Sequence, residues 1–331
     1  MRQVVTSGVV LVTGGAGFIG SHLVEHLLAR GMTVVSIDNL DSFYAPAIKR
    51  ANLLQAQKSP NFTFVQGNIL DKDLLDNVFK TQSVTRVIHL AALAGVRPSL
   101  QDPSSYIEVD VKGTVHLLEL CATYRVCQFI FASSSSVYGG NPALPYHEDA
   151  STDIQVSPYG AAKKSAELYC GTYHHLYGIP TTILRFFTVY GPRQRPEMAI
   201  HKFTRLLNQG LPVSIFGDGT STRDYTYIDD IVAGISSAVD CPLPFEIINL
   251  GNSSSIPLLE LVKEIAHVLG VPPSIEYLPP AMGDVHATQA DLAKANRLLG
   301  YRPHTELRNG LIKFVEWYHQ NQRLLTGALL S

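Results

Sequence analysis

The chain has 331 residues, of which 46% are hydrophobic and 16% charged, and its formal net charge at pH 7 is −2. This length is sufficient to bury a large core, whereas the near-neutral charge provides no basic field that would favour nucleic acid. Four cysteines without a C-x-x-C pair, and no apolar run near the roughly 20 residues that cross a bilayer, predict a soluble, cytoplasmic protein with no metal site and no membrane span.

The first predicted elements form a dinucleotide-binding fingerprint. A strand from Val9 to Thr13 leads into a glycine loop, Gly14 to Gly20, and an apolar-periodic helix follows. A second strand, Thr33 to Ile37, ends at Asp38. In such a unit, backbone N–H groups at the helix N-terminus meet a pyrophosphate, and the acid accepts hydrogen bonds from ribose hydroxyls. Because a carboxylate repels a 2′-phosphate, the pattern predicts NAD rather than NADP.

Strands and helices alternate up to residue 188, which predicts an α/β fold with a Rossmann-type, doubly wound parallel sheet. The further predicted elements are strand 62–66, helix 71–80, strand 86–91, a long helix from about 103 to 124, strand 128–133, helix 158–177 and strand 180–187. Beyond Thr188, proline- and glycine-rich stretches separate shorter elements. We therefore predict an NAD-binding domain of residues 1–188, to which 224–250 return, and a smaller, mixed α/β substrate-binding region of residues 189–223 and 251–331.

Two polar stretches stand where a ligand would bind. Tyr159 and Lys163 lie four residues apart and so share one face of the predicted helix. A cation beside a phenol favours the phenolate, and such a pair can take a proton from a sugar hydroxyl. A single match of tyrosine and lysine at this spacing is more often an ordinary amphipathic helix face than a catalytic pair. The serine run Ser133 to Ser136 ends a strand, which fits either a ligand-facing loop or a solvated turn.

These motifs, together with Arg223-Asp224-Tyr225, resemble the extended short-chain dehydrogenase/reductase family of nucleotide-sugar enzymes across essentially the whole chain. Three stretches, residues 89–97, 132–139 and 184–196, are most similar to the UDP-glucuronate 4-epimerases of that family. The resemblance implies that Tyr159 is the base, that Lys163 holds the nicotinamide ribose and tunes Tyr159, and that Ser134 binds the reacting sugar oxygen. The implied cofactor is NAD, held by Gly14, Gly17, Phe18, Ile19, Gly20, Asp38, Asn39, Asn68, Ile69, Leu90, Ala91, Ala92, Tyr159 and Lys163.

The resemblance also implies a UDP-sugar substrate. Its expected contacts are Arg97, Ser134, Ser135, Ser136, Thr188, Arg195, Ala199, Ile215, Phe216, Arg223 and Asp284. Dehydratases and decarboxylating members of the family carry acidic residues in the serine run, where this chain has Ser135 and Ser136. Elimination needs an acid and a base, so their absence favours reversible 4-epimerisation through a 4-keto sugar.

The resemblance further implies how the sugar carboxylate and a second copy of the chain would be bound, and three other interpretations stay open. For a glucuronate, the serines, Thr188 and Arg195 would surround the carboxylate. The alternatives are a UDP-glucose or UDP-N-acetylglucosamine 4-epimerase, a surface role for Arg195, and an NAD-binding sensor without turnover. The family further implies a homodimer in which the helices 103–124 and 158–177 of two copies form a four-helix bundle, although both helices could instead pack only on their own sheet.

Overall fold

The computed structural model describes residues 8–279 and 285–327. The strands are β1 (Val9–Thr13), β2 (Thr33–Asp38), β3 (Phe62–Gln66), β4 (Val84–His89), β5 (Gln128–Ser134), β6 (Thr181–Phe186), β7 (Thr188–Tyr190), β8 (Val213–Phe216), β9 (Thr222–Tyr227), β10 (Phe245–Leu250), β11 (Ser255–Pro257) and β12 (Ile275–Leu278). The α-helices are α1 (Phe18–Ala29), α2 (Pro46–Leu53), α3 (Lys72–Gln82), α4 (Val96–Gln101), α5 (Pro103–Tyr106), α6 (Gly113–Thr123), α7 (Pro158–Tyr177), α8 (Ala199–Asn208), α9 (Ile228–Asp240), α10 (Leu258–Leu269), α11 (Ala293–Leu299), α12 (Leu307–Gln320) and α13 (Gln322–Gly327). A π-helical turn (Ile107–Lys112) joins α5 to α6, and 3₁₀ turns cover Ala56–Lys58 and Ser135–Tyr138.

A seven-stranded sheet in the order β10-β6-β5-β4-β1-β2-β3 forms the centre of the molecule, and every pair in it is parallel. Its strands are apolar because helices cover both faces. The predicted doubly wound parallel sheet is confirmed. The order reverses beside β1, so the loops after β1 and β4 diverge at the carboxyl edge and leave a crevice there.

The C-terminal part adds two small sheets. Strand β9 lies between β7 and β11, and β8 pairs with β12. Of the segment predicted to return to the main sheet, residues 224–250, only β10 pairs with it. The large apolar core includes both Leu184 of β6 and Leu261 of α10. The division into two regions therefore stays a prediction.

The sequence predicts a helix from Ile231 to Val239 that Asp229 and Asp230 cap, but α9 starts earlier, at Ile228. Residues Asp229 and Asp230 do not cap it, because Tyr227 is the N-cap residue and makes no side-chain cap bond. The buried carboxylate of Asp230 instead accepts hydrogen bonds from the backbone N–H groups of His304 and Thr305. It thus ties α9 to the segment before α12.

The predicted long helix 103–124 is present but is not uniformly α-helical. Asp102 caps its start by accepting from the N–H of Ser105 at 3.2 Å. The turn Ile107–Lys112 is wound as a π-helix. There the hydroxyl of Thr114 donates to the carbonyl oxygen of Asp110 at 2.6 Å, which is the back-bonding that bends helices at threonine. A π turn contains an extra residue, and such turns concentrate at functional sites.

Helix α7 has the predicted limits. Ser157 caps it by accepting from the N–H of Gly160 at 3.1 Å, Pro158 occupies the first turn, and Gly178 ends it with a φ of 68°. These local signals explain why both ends of the helix could be predicted from the sequence.

None of the helices in the described residues is long and apolar enough to span a bilayer. The four cysteines are all free thiols.

Candidate active site

A cavity of about 880 Å³ opens at the carboxyl edge of the sheet, where β1, β2, β4 and β5 end. It gathers most of the residues proposed from sequence. Those lining it are Gly14, Gly17, Phe18, Ile19, Gly20, Asp38, Asn39, Asn68, Ile69, Leu90, Ala91, Ala92, Ser134, Ser135, Ser136, Tyr159, Lys163, Thr188, Arg195 and Arg223.

Close backbone packing explains the glycines at the start of α1. A Cβ atom at Gly20 would overlap the carbonyl oxygen of Gly14. At Gly14, where φ is +73°, a Cβ would stand 2.7 Å from the backbone nitrogen of Ala91. Only glycine therefore allows the loop, α1 and the segment after β4 to meet. The open N-terminus of α1 consequently faces the cavity, with a dipole that favours an anion.

Asp38 closes the other side of this crevice. Its two carboxylate oxygens accept from the N–H groups of Ala16 at 3.1 Å and of Leu40 at 2.8 Å. Each oxygen keeps a second lone pair that can accept from a hydroxyl. The carboxylate is thus held in one orientation and can bind a vicinal diol.

Sequence reasoning missed the segment after Asp38, which is a loop followed by α2. Phe43, Tyr44 and Lys49 also line the cavity. The Lys49 ammonium lies 4.8 Å from the centre of the Tyr44 ring. Burial lowers the pKa of Lys49, whereas the nearby carboxylates of Asp38 and Asp41 raise it. No periodicity or motif marked these residues, because only the fold returns the loop to the cavity.

Tyr159 and Lys163 project together from α7. The ring of Tyr159 meets that of Tyr106 edge-on, with the centres 6.0 Å apart. Lys163 is 4% exposed, and its Nζ donates to the carbonyl oxygen of Ala132 at 3.1 Å. The same ammonium lies 5.1 Å from the ring centre of Phe131. A charged group is thereby fixed beside a phenol inside the cavity.

Sequence reasoning also missed Asp110. Its carboxylate is fully buried and stands 3.7 Å from the ammonium of Lys163. Neither helical spacing nor a motif marked it, because the π-helical turn Ile107–Lys112 determines that this side chain faces α7.

The serine run has an internal hydrogen-bond pattern. Ser133 faces α7 and donates to Glu167 at 2.6 Å. Ser134 accepts from the N–H of Ser136 at 3.1 Å and donates to the Ser136 hydroxyl at 3.2 Å. The cavity wall here therefore presents fixed hydroxyls.

Arg195 crosses the mouth of the cavity. Its Nε lies 3.0 Å from a carboxylate oxygen of Glu197, and its Nη1 donates to the carbonyl of Ala94 at 3.5 Å. Its guanidinium lies 5.7 Å from the ring centre of Phe43. This arginine thus joins the loop after β2 to the segment after β7.

Five predicted substrate contacts lie elsewhere or outside the described residues. The guanidinium of Arg97 stacks 4.4 Å from the ring centre of Phe216. The side chain of Ile215 has no exposed surface and lies in the large core. Ala199 is the first residue of α8. Asp284 lies outside the described residues.

The chain was compared with known protein families, sequences and structures. A family model described as GDP-mannose 4,6 dehydratase matches residues 11–314. The UDP-glucuronate 4-epimerase of Thermodesulfobacterium geofontis is 43% identical over 319 residues, which cover 96% of this chain and 98% of that protein.

Solved structures agree with this similarity. The UDP-glucuronic acid 4-epimerase of Bacillus cereus, in complex with UDP-glucuronic acid and NAD, superposes with a TM-score of 0.90 at 37% identity and covers 94% of this chain and 99% of its own. The UDP-glucose 4-epimerase of Thermotoga maritima, with UDP-glucose, has a TM-score of 0.87 at 34% identity and covers 95% and 99% of the two chains. The chain therefore belongs to the extended short-chain dehydrogenases/reductases that the GDP-mannose 4,6 dehydratase model describes, and the three relatives named above are UDP-sugar 4-epimerases.

Proposed function

We propose that the protein catalyses NAD-dependent, reversible 4-epimerisation of a UDP-sugar, and that this sugar is UDP-glucuronate, which is converted to UDP-galacturonate through a 4-keto intermediate without decarboxylation. One observation carries the proposal: Tyr159 and Lys163 share a cavity with a serine run that holds no carboxylate. The relatives support it, because a UDP-glucuronate 4-epimerase matches over nearly the whole length of both chains.

The cavity fits NAD. The α1 N-terminus, opened by Gly14 and Gly20, would hold the pyrophosphate, and the two oxygens of Asp38 would accept from the adenosine ribose hydroxyls. Lys163 would donate to the nicotinamide ribose. When bound, NAD supplies the hydride acceptor and donor for carbon 4 of the sugar.

The chain's own residues would move the proton. Tyr159 takes the proton from the hydroxyl on carbon 4 and returns it after the ketose has turned over in the site. The ammonium of Lys163 favours the phenolate that this requires. Ser134 would keep accepting from the N–H of Ser136, and its hydroxyl hydrogen would turn from the Ser136 hydroxyl to the reacting oxygen.

The same site is poorly suited to elimination of water. A dehydratase needs an acid for the leaving hydroxyl and a base for the neighbouring carbon. The run Ser133–Ser136 contains only hydroxyls, and Glu167, which contacts Ser133, is bound to the buried Arg185. We therefore assign epimerisation despite the family model's description.

A carboxylate-bearing sugar would meet the hydroxyls of Ser135, Ser136 and Thr188 and the guanidinium of Arg195. Arginine and hydroxyl donors bind a carboxylate by charge-assisted hydrogen bonds. Held in this way, a 4-keto uronate keeps its carboxyl group away from the orientation in which carbon dioxide leaves.

The uridine diphosphate would extend from the same cavity. Arg223 lines it and donates to the carbonyl of Thr222 at 2.8 Å. We propose Arg223 for the diphosphate, with Arg97, Ala199, Ile215, Phe216 and Asp284 as the further contacts. Because the side chain of Ile215 is buried, its contact would be through the backbone.

A neutral UDP-hexose is the second candidate, and one observation favours it. Arg195 is already paired with Glu197, which offsets the charge that an acidic sugar would use. A UDP-glucose 4-epimerase is also among the structural neighbours. UDP-glucose or UDP-N-acetylglucosamine would then be the substrate.

We also propose a homodimer and a cytoplasmic location. The outer surfaces of the two long helices expose Ile107, Leu168, Tyr169, Leu176 and Tyr177. A second copy could cover these side chains by forming a four-helix bundle. Four free thiols fit a reducing compartment.

The experiment is a proton NMR time course on the purified protein with UDP-glucuronate, UDP-glucose and UDP-N-acetylglucosamine in parallel, without added reductant. We expect UDP-galacturonate from the first sugar. A UDP-pentose product would show decarboxylation and overturn the serine-run assignment, and turnover of none of the three sugars would favour the NAD-binding sensor.

The Arg195→Ala variant separates the two substrate classes. Loss of a charge-assisted contact should lower kcat/KM for UDP-glucuronate roughly 10- to 100-fold. The neutral sugar is the internal control, because it makes no ionic contact with Arg195. Equal losses for both sugars would contradict the carboxylate contact.

A further inference from the structure

The ammonium of Lys163 is buried, and a buried charge needs a partner of opposite sign. The carbonyl of Ala132 and the ring face of Phe131 provide only dipolar and quadrupolar partners. Among the described residues, Asp110 is the acid within ion-pair distance, at 3.7 Å from Nζ to Oδ2. The side chain of Lys163 is 5% exposed and that of Asp110 is fully buried.

The two carboxylate oxygens of Asp110 have different surroundings. Oδ1 accepts from the N–H of Leu93 at 2.7 Å, in the segment that follows β4 and lines the cavity. Oδ2 has no hydrogen bond within the described part of the chain and points towards Lys163. One oxygen therefore positions the cavity wall, and the other supplies charge to the ammonium.

The π-helical turn accounts for this orientation. Each residue of an α-helix advances about 100° around the axis, so the extra residue in Ile107–Lys112 changes which side chains face inward. Within this turn Asp110 is buried, whereas Ile107 and Glu108 are exposed. The turn thus places a carboxylate, not an apolar side chain, opposite Lys163.

A chain of buried hydrogen bonds fixes the turn. The one hydroxyl hydrogen of Thr114 goes to the carbonyl of Asp110, so this hydroxyl accepts from Nε2–H of His89, 3.0 Å away. Nδ1 of His89 then accepts from the hydroxyl of Thr13 at 2.7 Å. Thr13 also accepts from the N–H of Ala91. The carboxyl ends of β1 and β4 are thereby joined to the Asp110 turn.

We propose that Asp110 is a positioning residue for the catalytic pair: its buried carboxylate, turned inward by the π-helical turn, holds the ammonium of Lys163 and limits how strongly that ammonium favours the phenolate of Tyr159. The inference rests on the proposed proton-transfer role of Tyr159 and Lys163. It concerns charge as well as position, since Asp110 and Lys163 together are neutral, whereas Lys163 alone would carry a full positive charge beside the phenol.

The ionisable groups around Asp110 come from several elements. Lys163 of α7 faces it, and Tyr106, one turn earlier on its own helix, contacts the ring of Tyr159. His89 of β4 lies behind the turn. Burial raises the pKa of Asp110 to about 6, while Lys163 and the N–H of Leu93 act in the opposite direction. The carboxylate is therefore charged at neutral pH and takes up a proton in mild acid.

The test is the pH dependence of kcat/KM for the NAD-loaded Asp110→Asn variant, from pH 5 to pH 9. Asparagine keeps the acceptor for Leu93 but removes the charge. Without the charge of Asp110, the ammonium of Lys163 favours the phenolate of Tyr159 more strongly. The acid limb of the kcat/KM profile should therefore move to lower pH by about one pH unit. The two profiles should coincide near pH 5, where Asp110 of the wild type carries a proton itself, and separate above pH 6.

Glu108→Gln is the matched control, because it removes the same charge from the exposed side of the same turn. Its profile should superpose on that of the wild type. A profile of Asp110→Asn that is lowered by one constant factor at every pH would show a structural role only and would overturn the proposal.

A titration that does not depend on turnover covers the case in which Asp110→Asn fails to fold. The sequentially assigned carboxyl ¹³C signal of Asp110 is followed in the wild-type holoenzyme and in Lys163→Met. We expect a wild-type midpoint near pH 6 and a higher midpoint in the variant, which lacks the cation. An unchanged midpoint would overturn the proposal, whereas absence of epimerisation with this titration intact would count against the proposed function instead.

Discussion

Tyr159 is the side chain on which the proposed chemistry depends most directly. It lines the cavity from the first turn of α7, where Ser157 and Pro158 fix the start of the helix. Its phenol is the group that would exchange a proton with the sugar, so removal of the hydroxyl should affect turnover and leave the shape of the site intact.

Tyr159→Phe should lower kcat by roughly 10²- to 10⁴-fold, the usual contribution of a general base. NAD binding should persist, because the phenyl ring keeps its edge-on contact with Tyr106. Steady-state turnover and cofactor content per protein check both statements.

Tyr169→Phe is the control, because this tyrosine lies on the same helix with 43% of its surface exposed. Full activity is expected for it. A Tyr159→Phe variant that retained wild-type turnover would remove Tyr159 from the proton step.

The combination of sequence motifs predicted Asp38, Tyr159 and the glycine loop as site residues, and all of them line the cavity, because each motif has a recognisable spacing in the chain. Asp110 and Tyr44 could not be found in this way. Their roles arise only when a π-helical turn or a distant loop is brought against the cavity, and neither arrangement leaves a periodic signal in the chain.

At the scale of secondary-structure elements, a buried ionic network anchors the catalytic helix. Glu167 of α7 binds Arg185 of β6 through two hydrogen bonds, at 2.9 Å and 2.8 Å, and accepts from Ser133 of β5. The Arg185 guanidinium also lies 4.8 Å from the ring centre of Tyr138. The network thus connects α7 with the ends of both strands beside the cavity.

Glu167→Gln should lower the free energy of unfolding by about 3–5 kcal/mol, because it leaves the buried charge of Arg185 without a partner. Urea denaturation followed by circular dichroism measures the change. Lys164→Met serves as the control, since Lys164 is a partly exposed partner of the same carboxylate at 3.7 Å, and its loss should cost less than about 1 kcal/mol. Equal destabilisation by both variants would contradict this account.

The ends of α7 were predictable because Ser157, Pro158 and Gly178 are local signals. The π-helical turn was not. Its geometry depends on the hydrogen bonds of Thr114 and His89 and on the burial of Asp110 against α7, which are tertiary interactions.

At the scale of the whole molecule, the proposed homodimer predicts which surface change alters assembly. Leu168 on α7 is 61% exposed within one copy. Leu168→Glu should place a charge in the four-helix interface and shift the protein to monomers, as measured by light scattering after size-exclusion chromatography. Leu54→Glu is matched to it, since Leu54 is also 61% exposed but follows α2. A wild-type monomer, or an intact Leu168→Glu dimer, would contradict the proposed interface.

The pH dependence of stability is also a property of the whole molecule. Burial lowers the pKa of His22 to about 4, of His89 to about 3 and of His201 to about 4. Below pH 6.5 the unfolded chain binds protons that these native histidines do not, so native stability falls as pH drops from 6.5 towards 4. Asp110, Asp224 and Asp229, whose pKa values are raised by burial, act in the opposite direction in acid.

We therefore expect Tm to fall between pH 7 and pH 5, with each buried histidine contributing about 2 kcal/mol at most at pH 5. Differential scanning calorimetry measures the slope of Tm against pH. His201→Asn should flatten this slope, whereas the same change at the exposed His175 should not. A Tm that rises on acidification would show that carboxyl groups dominate.

The position of β10 at the edge of the central sheet has a consequence for biosynthesis. Among the strands that the structure describes, β10 pairs in that sheet with β6, which ends at Phe186. During synthesis, this edge of β6 therefore stays unpaired until Phe245–Leu250 has left the ribosome. Asn249 arrives with this last strand, and it accepts from the Tyr138 hydroxyl and donates its N–H to Glu148. The nascent chain can thus assemble β1 to β6 early. The hydrogen bonds of Asn249 behind the serine run form only when β10 pairs with β6.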